Sequence, residues 1–206
     1  HVGNETPISD LPSIWDDVPD ARDYLESHDF VEMESEEIQD KAKELGAGNP
    51  GFWTAVRKIA QWINTYIVYA YNLRQKEYRG ALETLRSRRG TCSDFVHLFL
   101  ALARNLNIPC RAMVGLHRVG RSWETHSWAE VYDPEYEWTP LDVVSQPTNL
   151  TLGSDYIGIS AGYNCAVRFY AYYRAEEESL PVKLDFKQYY VIGNRTVEIE
   201  FFDSSL

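Results

Sequence analysis

The chain has 206 residues, 44% of them hydrophobic and 25% charged, with a formal net charge of −11. A chain this long buries roughly 70% of its unfolded surface, so it needs no metal or disulfide to fold, and its composition excludes disorder, collagen and a disulfide-dense mini-protein. So acidic a surface repels phosphate backbones and argues against nucleic acid as a partner.

Residues 1–30 are acidic and contain Pro7, Pro12 and Pro19, which predicts an extended lead-in with a short helix over 21–27. Ser35 opens a helix amid Glu32, Glu34, Glu36 and Glu37, acidic residues that suit the positive end of a helix dipole. It ends at Gly46–Gly48, before the turn signal Asn49-Pro50-Gly51. A helix over 52–69 follows, with Phe52, Val56, Ile59, Ala60, Ile63 and Ile67 on one face. A Tyr- and Arg-rich link over 69–79 leads to a shorter helix over 80–88, carrying Leu82 and Leu85 and broken by Gly90. The helix over 92–107 is apolar nearly all round, from Phe95 and Val96 to Ala103 and Leu106, as in a helix buried in the middle of a domain. Pro109 stops it.

Beyond Pro109 the hydrophobic period falls from about 3.6 to 2. Strands are expected over 112–116, 127–132, 165–173, 182–186 and 197–201, the last two joined by a hairpin turn at Gly193-Asn194. Helices first and strands after make an α+β fold, a helical part packed on an antiparallel sheet. The expected organisation is one domain: a lead-in and helix over 1–50, a core over 51–145, and strands over 146–206 that complete or decorate the sheet.

No run of 18 apolar residues exists, so no membrane span is expected. No signal-peptide pattern is visible, and a start at His1 and not at Met implies that something upstream was removed or left out. Asn-x-Ser/Thr sites at Asn4, Asn149 and Asn194 tilt the expectation weakly toward an extracytoplasmic or secreted protein. Cys92, Cys110 and Cys165 form no Cys-x-x-Cys pair, which argues against structural zinc. Cys110 with Cys165 is a plausible bridge if the protein is exported; in the cytosol both are small buried residues. The clusters Asp16/Asp17/Asp20/Asp23 and Glu176/Glu177/Glu178 read as solvated faces.

Cys92 follows Gly90-Thr91 at the start of the buried helix. There a thiol meets the positive end of the dipole and free backbone N–H groups, which favour thiolate and can receive an oxyanion. In Thr125-His126-Ser127-Trp128-Ala129-Glu130-Val131-Tyr132 a strand places His126, Trp128, Glu130 and Tyr132 on one face. The chain turns over 133–137 and returns as Trp138-Thr139-Pro140-Leu141-Asp142. With a pivot at Pro134, Asp142 lies directly opposite His126, and a one-step slip keeps both on one face. His1, His28, His97 and His117 have no carboxylate placed in this way. Cys92, His126 and Asp142 therefore have the parts of a thiol triad, with His126 as base and Asp142 as its support.

These residues resemble the transglutaminase-like superfamily of papain-type cysteine enzymes. The likeness runs through Ala81-Leu82-Glu83-Thr84-Leu85, Gly90-Thr91-Cys92-Ser93-Asp94-Phe95 and 106–115, then His126–Tyr132, then Trp138–Asp142, and covers about residues 52–145. It implies a helix-borne Cys92 facing strand-borne His126 and Asp142, with Trp128 either walling the acyl site or belonging to the core. It also implies an upstream side chain at the oxyanion site, where Tyr69 ranks ahead of Asn72 and Gln75. Members cross-link proteins, hydrolyse peptide or isopeptide bonds, deglycosylate, or have lost activity. The chain is too short for the layout of the large animal enzymes and has no Asp-x-Asp-x-Asp-Gly loop, so neither calcium nor any other cofactor is expected.

The leading expectation is a cysteine hydrolase acting on amide bonds of proteins, peptides or cell-wall-like isopeptides. A transglutaminase that passes the acyl group to an amine, and a peptide- or glycan-binding module on the same fold, are the alternatives.

Overall fold

The computed structural model describes residues 5–70, 79–120, 122–133, 135–145, 152–165, 167–173, 184–192 and 195–200. By chain contacts it forms two compact units, His1–Cys165 and Ala166–Leu206. In the first, the expected extended lead-in is instead a string of helical turns. These are α1 (Leu11–Ile14) and α2 (Pro19–Arg22), with 3-10 turns at Ile8–Asp10, Trp15–Asp17 and Asp23–Leu25. Ile8, Leu11 and Trp15 recur at helical spacing and are buried, and Trp15 Nε1 donates to the Asn107 carbonyl at 2.7 Å. Asp10 and Pro12, which lie between them, obscured that stripe.

Helix α3 (Glu36–Leu45) follows Ser35 as expected, and α4 (Phe52–Tyr66) buries the apolar face read from the sequence. Helix α4 stops before the expected end at 69. Ile67 and Val68 are β-branched and disfavoured in a helix. Val68–Tyr69 form β1 instead, paired in parallel with β2 (Arg89–Gly90). Between them α5 (Ala81–Ser87) ends on Arg88, which takes a left-handed conformation at φ 52°. Helix α6 (Cys92–Arg104) is buried along its whole length and packs against α3, α4 and α5 and against the sheet that follows. It ends three residues earlier than predicted, in a turn where Asn107 has φ 58°.

The sheet consists of β3 (Cys110–Val119), β4 (Ser122–Asp133), β5 (Glu137–Leu141) and β6 (Tyr156–Gly162), antiparallel in the order β5-β4-β3-β6. The six helices described and this antiparallel sheet, in one unit, make an α+β fold. Strand β6 is absent from the sequence-based expectation: Gly158, Ser160 and Gly162 lower its β-propensity, and pairing with β3 creates it. Along β4, Ser127, Ala129 and Val131 are buried, and the Ser127 hydroxyl lies 3.2 Å from that of Ser93 on α6.

The β4–β5 turn corrects the expected register. Asp133 pairs with Glu137 and Ala129 with Leu141, so the hairpin pivots at Glu135 and not at Pro134. The Asp133 carboxylate accepts the N–H groups of Glu135 (2.7 Å) and Tyr136 (3.0 Å), which centres the turn there. Asp142, one step past β5, is accordingly diagonal to His126.

The second unit is a three-stranded antiparallel sheet of β7 (Val167–Tyr173), β8 (Leu184–Ile192) and β9 (Arg195–Glu200). Strand β8 runs six residues past the expected end at 186; Gly193, Asn194 and the Glu176–Glu178 cluster lie outside the described residues, as do the three Asn-x-Ser/Thr asparagines. No helix among the described residues is long and apolar enough to cross a membrane.

Candidate active site

Asp94, in the first turn of α6, accepts both the Thr91 backbone N–H (2.7 Å) and the Thr91 hydroxyl (3.1 Å). That bond sets the helix start at Cys92. Gly90 is required beside it, because a Cβ there would sit 2.6 Å from Asp94 Cβ. Cys92 is thus the first residue of α6, with 7% of its surface exposed. Burial by itself would raise its pKa. The hydrogen bond and charge of His126, with the backbone N–H groups of Ser127 and Ser93, more than offset burial and hold the thiol below its ordinary value.

His126, on β4, uses Nε2 to donate to Asp142 Oδ2 at 2.9 Å. A carboxylate only accepts, so the proton sits on Nε2 and Nδ1 is left for the thiol. Burial opposes the imidazolium, but Asp142 and Cys92 outweigh it and raise His126 to about 9. Asp142 is fully buried, which by itself would raise it, yet His126 and further donors hold it at about 2. Those donors fill the carboxylate. Oδ1 accepts the N–H groups of Val144 (2.9 Å) and Ser145 (3.1 Å), and Oδ2 also accepts the Tyr156 hydroxyl (2.7 Å).

Trp128 shares the His126 face of β4 and is nearly buried, its ring centroid 6.4 Å from the imidazole. Gly115, opposite His126 on β3, makes room for it: a Cβ at 115 would lie 2.1 Å from the Ile157 carbonyl oxygen and 2.7 Å from the Trp128 ring. Tyr69 on β1 pairs with Gly90, two residues before Cys92, and its ring lies 5.9 Å from that of Phe95. Asn72 and Gln75 lie outside the described residues.

Two residues of this cluster went unread in the sequence. Tyr156 opens the Gly-rich strand β6, where alternation is too weak to mark a strand. His117 is among the histidines to which the sequence assigns no carboxylate. It stacks on Tyr156 at 4.2 Å, lies 5.3 Å from the His126 ring, and has Asp155 at 3.6 Å. A histidine two residues beyond Gly115 on the strand facing His126 was the available signal. His117, His126 and Asp142 bring ligand-type atoms within 4.8 Å of one another. Those of His126 and Asp142 are joined by a proton, which a cation would have to displace.

The remaining cysteines do not form the bridge considered for an exported protein: all three thiols are free and buried. The Cys110 thiol faces the Leu100 carbonyl at 3.7 Å, and burial raises it to about 11. Burial also raises Cys165, whose N–H donates to His97 Nε2 at 3.0 Å. His97 Nδ1 lies 2.9 Å from the Arg79 carbonyl, so His97 is a neutral core residue lowered by desolvation.

The sequence profile of the transglutaminase-like superfamily matches residues 39–143. An uncharacterized protein of Mycobacterium leprae (strain TN) is 29% identical over 121 residues, which are 52% of this chain and 42% of that protein. Among solved structures, a candidate cysteine protease from Cytophaga hutchinsonii superposes at TM-score 0.61 and 20% identity, over 91% of this chain and 61% of that one, and so shares the fold. The periplasmic domain of TgpA from Pseudomonas aeruginosa aligns at TM-score 0.49 and 21% identity, over 61% of this chain and 47% of that chain. The chain thus spans less than two thirds of the length of each of these proteins.

Proposed function

The chain belongs to the transglutaminase-like superfamily, and from that premise we propose that it is a cysteine-dependent acyl-transfer enzyme that cleaves amide bonds of protein or peptide substrates. The observation that supports this most is the 2.9 Å hydrogen bond that ties His126 to the buried Asp142 carboxylate, with Cys92 at the start of α6 lowered by the neighbouring His126 and the imidazole raised. A thiolate–imidazolium pair is the resting form of an activated cysteine nucleophile.

In this mechanism the Cys92 thiolate attacks an amide carbonyl carbon, and the carbonyl π pair moves onto oxygen. Backbone N–H groups at the start of α6 receive the oxyanion, with Tyr69 beside them. As the C–N bond breaks, imidazolium Nδ1–H protonates the departing amine. His126, now neutral, takes a proton from an incoming water, whose oxygen attacks the thioester and releases the acid and the thiolate. Asp142 holds the Nε2–H tautomer throughout and supports the imidazolium charge. A primary amine in place of water makes the same step a transamidation, the alternative product.

The test is labelling with an electrophilic acyl probe, followed by incubation of candidate peptide and isopeptide substrates with and without a primary amine. Covalent labelling confined to Cys92, with release of acid or amine-coupled product, is expected. A protein that takes no label at Cys92 while correctly folded would be a binding module and not an enzyme.

A further inference from the structure

We propose that Tyr156 is a positioning residue of this site, its hydroxyl setting how tightly Asp142 holds His126; the inference rests on the acyl-transfer reading above. The geometry is specific. Asp142 Oδ2 accepts two donors, His126 Nε2–H at 2.9 Å and Tyr156 O–H at 2.7 Å, while Oδ1 is taken by the N–H groups of Val144 and Ser145. Tyr156 and His126 therefore compete for the charge of one oxygen. The phenol also fixes the direction in which that oxygen points, because backbone N–H groups hold only its partner.

The ring that carries the hydroxyl is itself held. His117 stacks on it at 4.2 Å with planes 16° apart, the Trp128 ring meets it edge-on at 5.5 Å, and Asp155 lies 3.6 Å from His117. Strand β6 thus delivers a donor to a carboxylate that follows β5, at the other edge of the sheet. The titratable groups that face His126 are Cys92 from α6, Asp142 beyond β5, Tyr156 from β6 and His117 from β3, with Asp155 behind His117.

Losing the hydroxyl leaves Oδ2 to His126 alone. The carboxylate then attracts the imidazolium more strongly, so His126 should titrate higher, by about half a unit or more. The carboxylate also loses one of its four anchors, so turnover should fall about tenfold with KM little changed. A purely structural tyrosine would change melting temperature and leave the titration alone.

The test compares wild type with Tyr156→Phe and with a chain carrying 3,5-difluorotyrosine at 156, a stronger donor of nearly the same size. The readouts are the His126 titration by imidazole NMR and the pH dependence of Cys92 alkylation by iodoacetamide, neither of which needs a substrate. Phe should shift His126 upward and the fluorinated tyrosine should shift it downward. Equal midpoints in all three proteins would overturn the inference while leaving Cys92 activated, and so leave the proposed function standing. A wild-type Cys92 that alkylates only in the ordinary thiol range would overturn both. Should Tyr156→Phe not fold, the fluorinated protein alone decides, through the sign of its shift.

Discussion

Asp142 is diagonal to His126 across the β4–β5 hairpin, yet its Oδ2 accepts the His126 Nε2 proton at 2.9 Å. The contact survives a register different from the one the sequence implies because a two-residue offset preserves the sheet face, and diagonal neighbours remain within reach of long side chains. The Asp142 side chain then closes the gap by capping the turn after β5.

Thiol reactivity should be confined to one site. Cys92 lies below its ordinary pKa, Cys110 is raised to about 11, and burial raises Cys165. Brief alkylation with iodoacetamide at pH 6, followed by peptide mass mapping, should find the label on Cys92 alone. Similar labelling at all three thiols would mean that Cys92 is not activated.

Activity should show an alkaline limit near pH 9. The imidazolium that protonates the leaving amine is lost as pH rises through the His126 value of about 9. The acid limit lies below the ordinary thiol range, where Cys92 regains its proton. The measurement is kcat/KM against pH on an amide substrate; an alkaline limit near the ordinary histidine value would show that Asp142 gives His126 no support.

Stability should depend on pH through the same pair. Asp142 is at about 2 when folded against an ordinary 3.8, so its contribution is present above 3.8 and lost as pH falls through 2. His126 is at about 9 against 6.5, so its contribution is present below 6.5 and lost as pH rises through 9. The two shifts share the His126–Asp142 contact and are not added; that shared contribution is worth about 2 kcal/mol and is complete between pH 3.8 and 6.5. Urea unfolding across pH should place the maximum there, and Asp142→Asn should flatten the acid side.

Substitutions in the site should separate chemistry from folding. Cys92→Ala should abolish covalent turnover and cost under ~1 kcal/mol, since little volume is lost at a helix start. His126→Ala should lower kcat about a hundredfold or more, by removing base and acid together. Asp142→Asn should lower kcat heavily and also destabilise by about 1–3 kcal/mol, because an amide cannot accept four donors around a fully buried position. Calorimetry beside kinetics distinguishes them: an Asp142→Asn protein as stable as wild type would mean that the network relaxes around the amide.

Gly115→Ala should act from the opposite strand. Its Cβ would strike the Ile157 carbonyl oxygen, which is backbone, so β3 and β6 must separate and Tyr156 moves with β6. A loss of about 1–3 kcal/mol is expected, together with slower alkylation of Cys92 at pH 6. Unchanged melting and unchanged alkylation would show that the strand pair has slack there.

The α+β class and the buried helix were legible in the amino-acid order alone, which also supplied the chemistry proposed for Cys92, His126 and Asp142. A run apolar but for His97, such as Phe95–Ala103, can only lie inside, Gly90-Thr91 before Cys92 can only start it sharply, and a period of 2 from Ser127 to Tyr132 leaves His126 on one known face. These are local properties, written within one or two turns of chain. Tertiary structure decided what depends on residues far apart. The Asp133 carboxylate moved the hairpin pivot to Glu135, and pairing with β3 made a strand of the Gly-rich segment 156–162. Folding also brought Tyr156 and His117 beside His126 and filled the Asp142 carboxylate. Neither propensity nor spacing encodes such contacts, because a weak strand is stabilised by the neighbour it finds and a buried carboxylate by whichever donors the fold delivers.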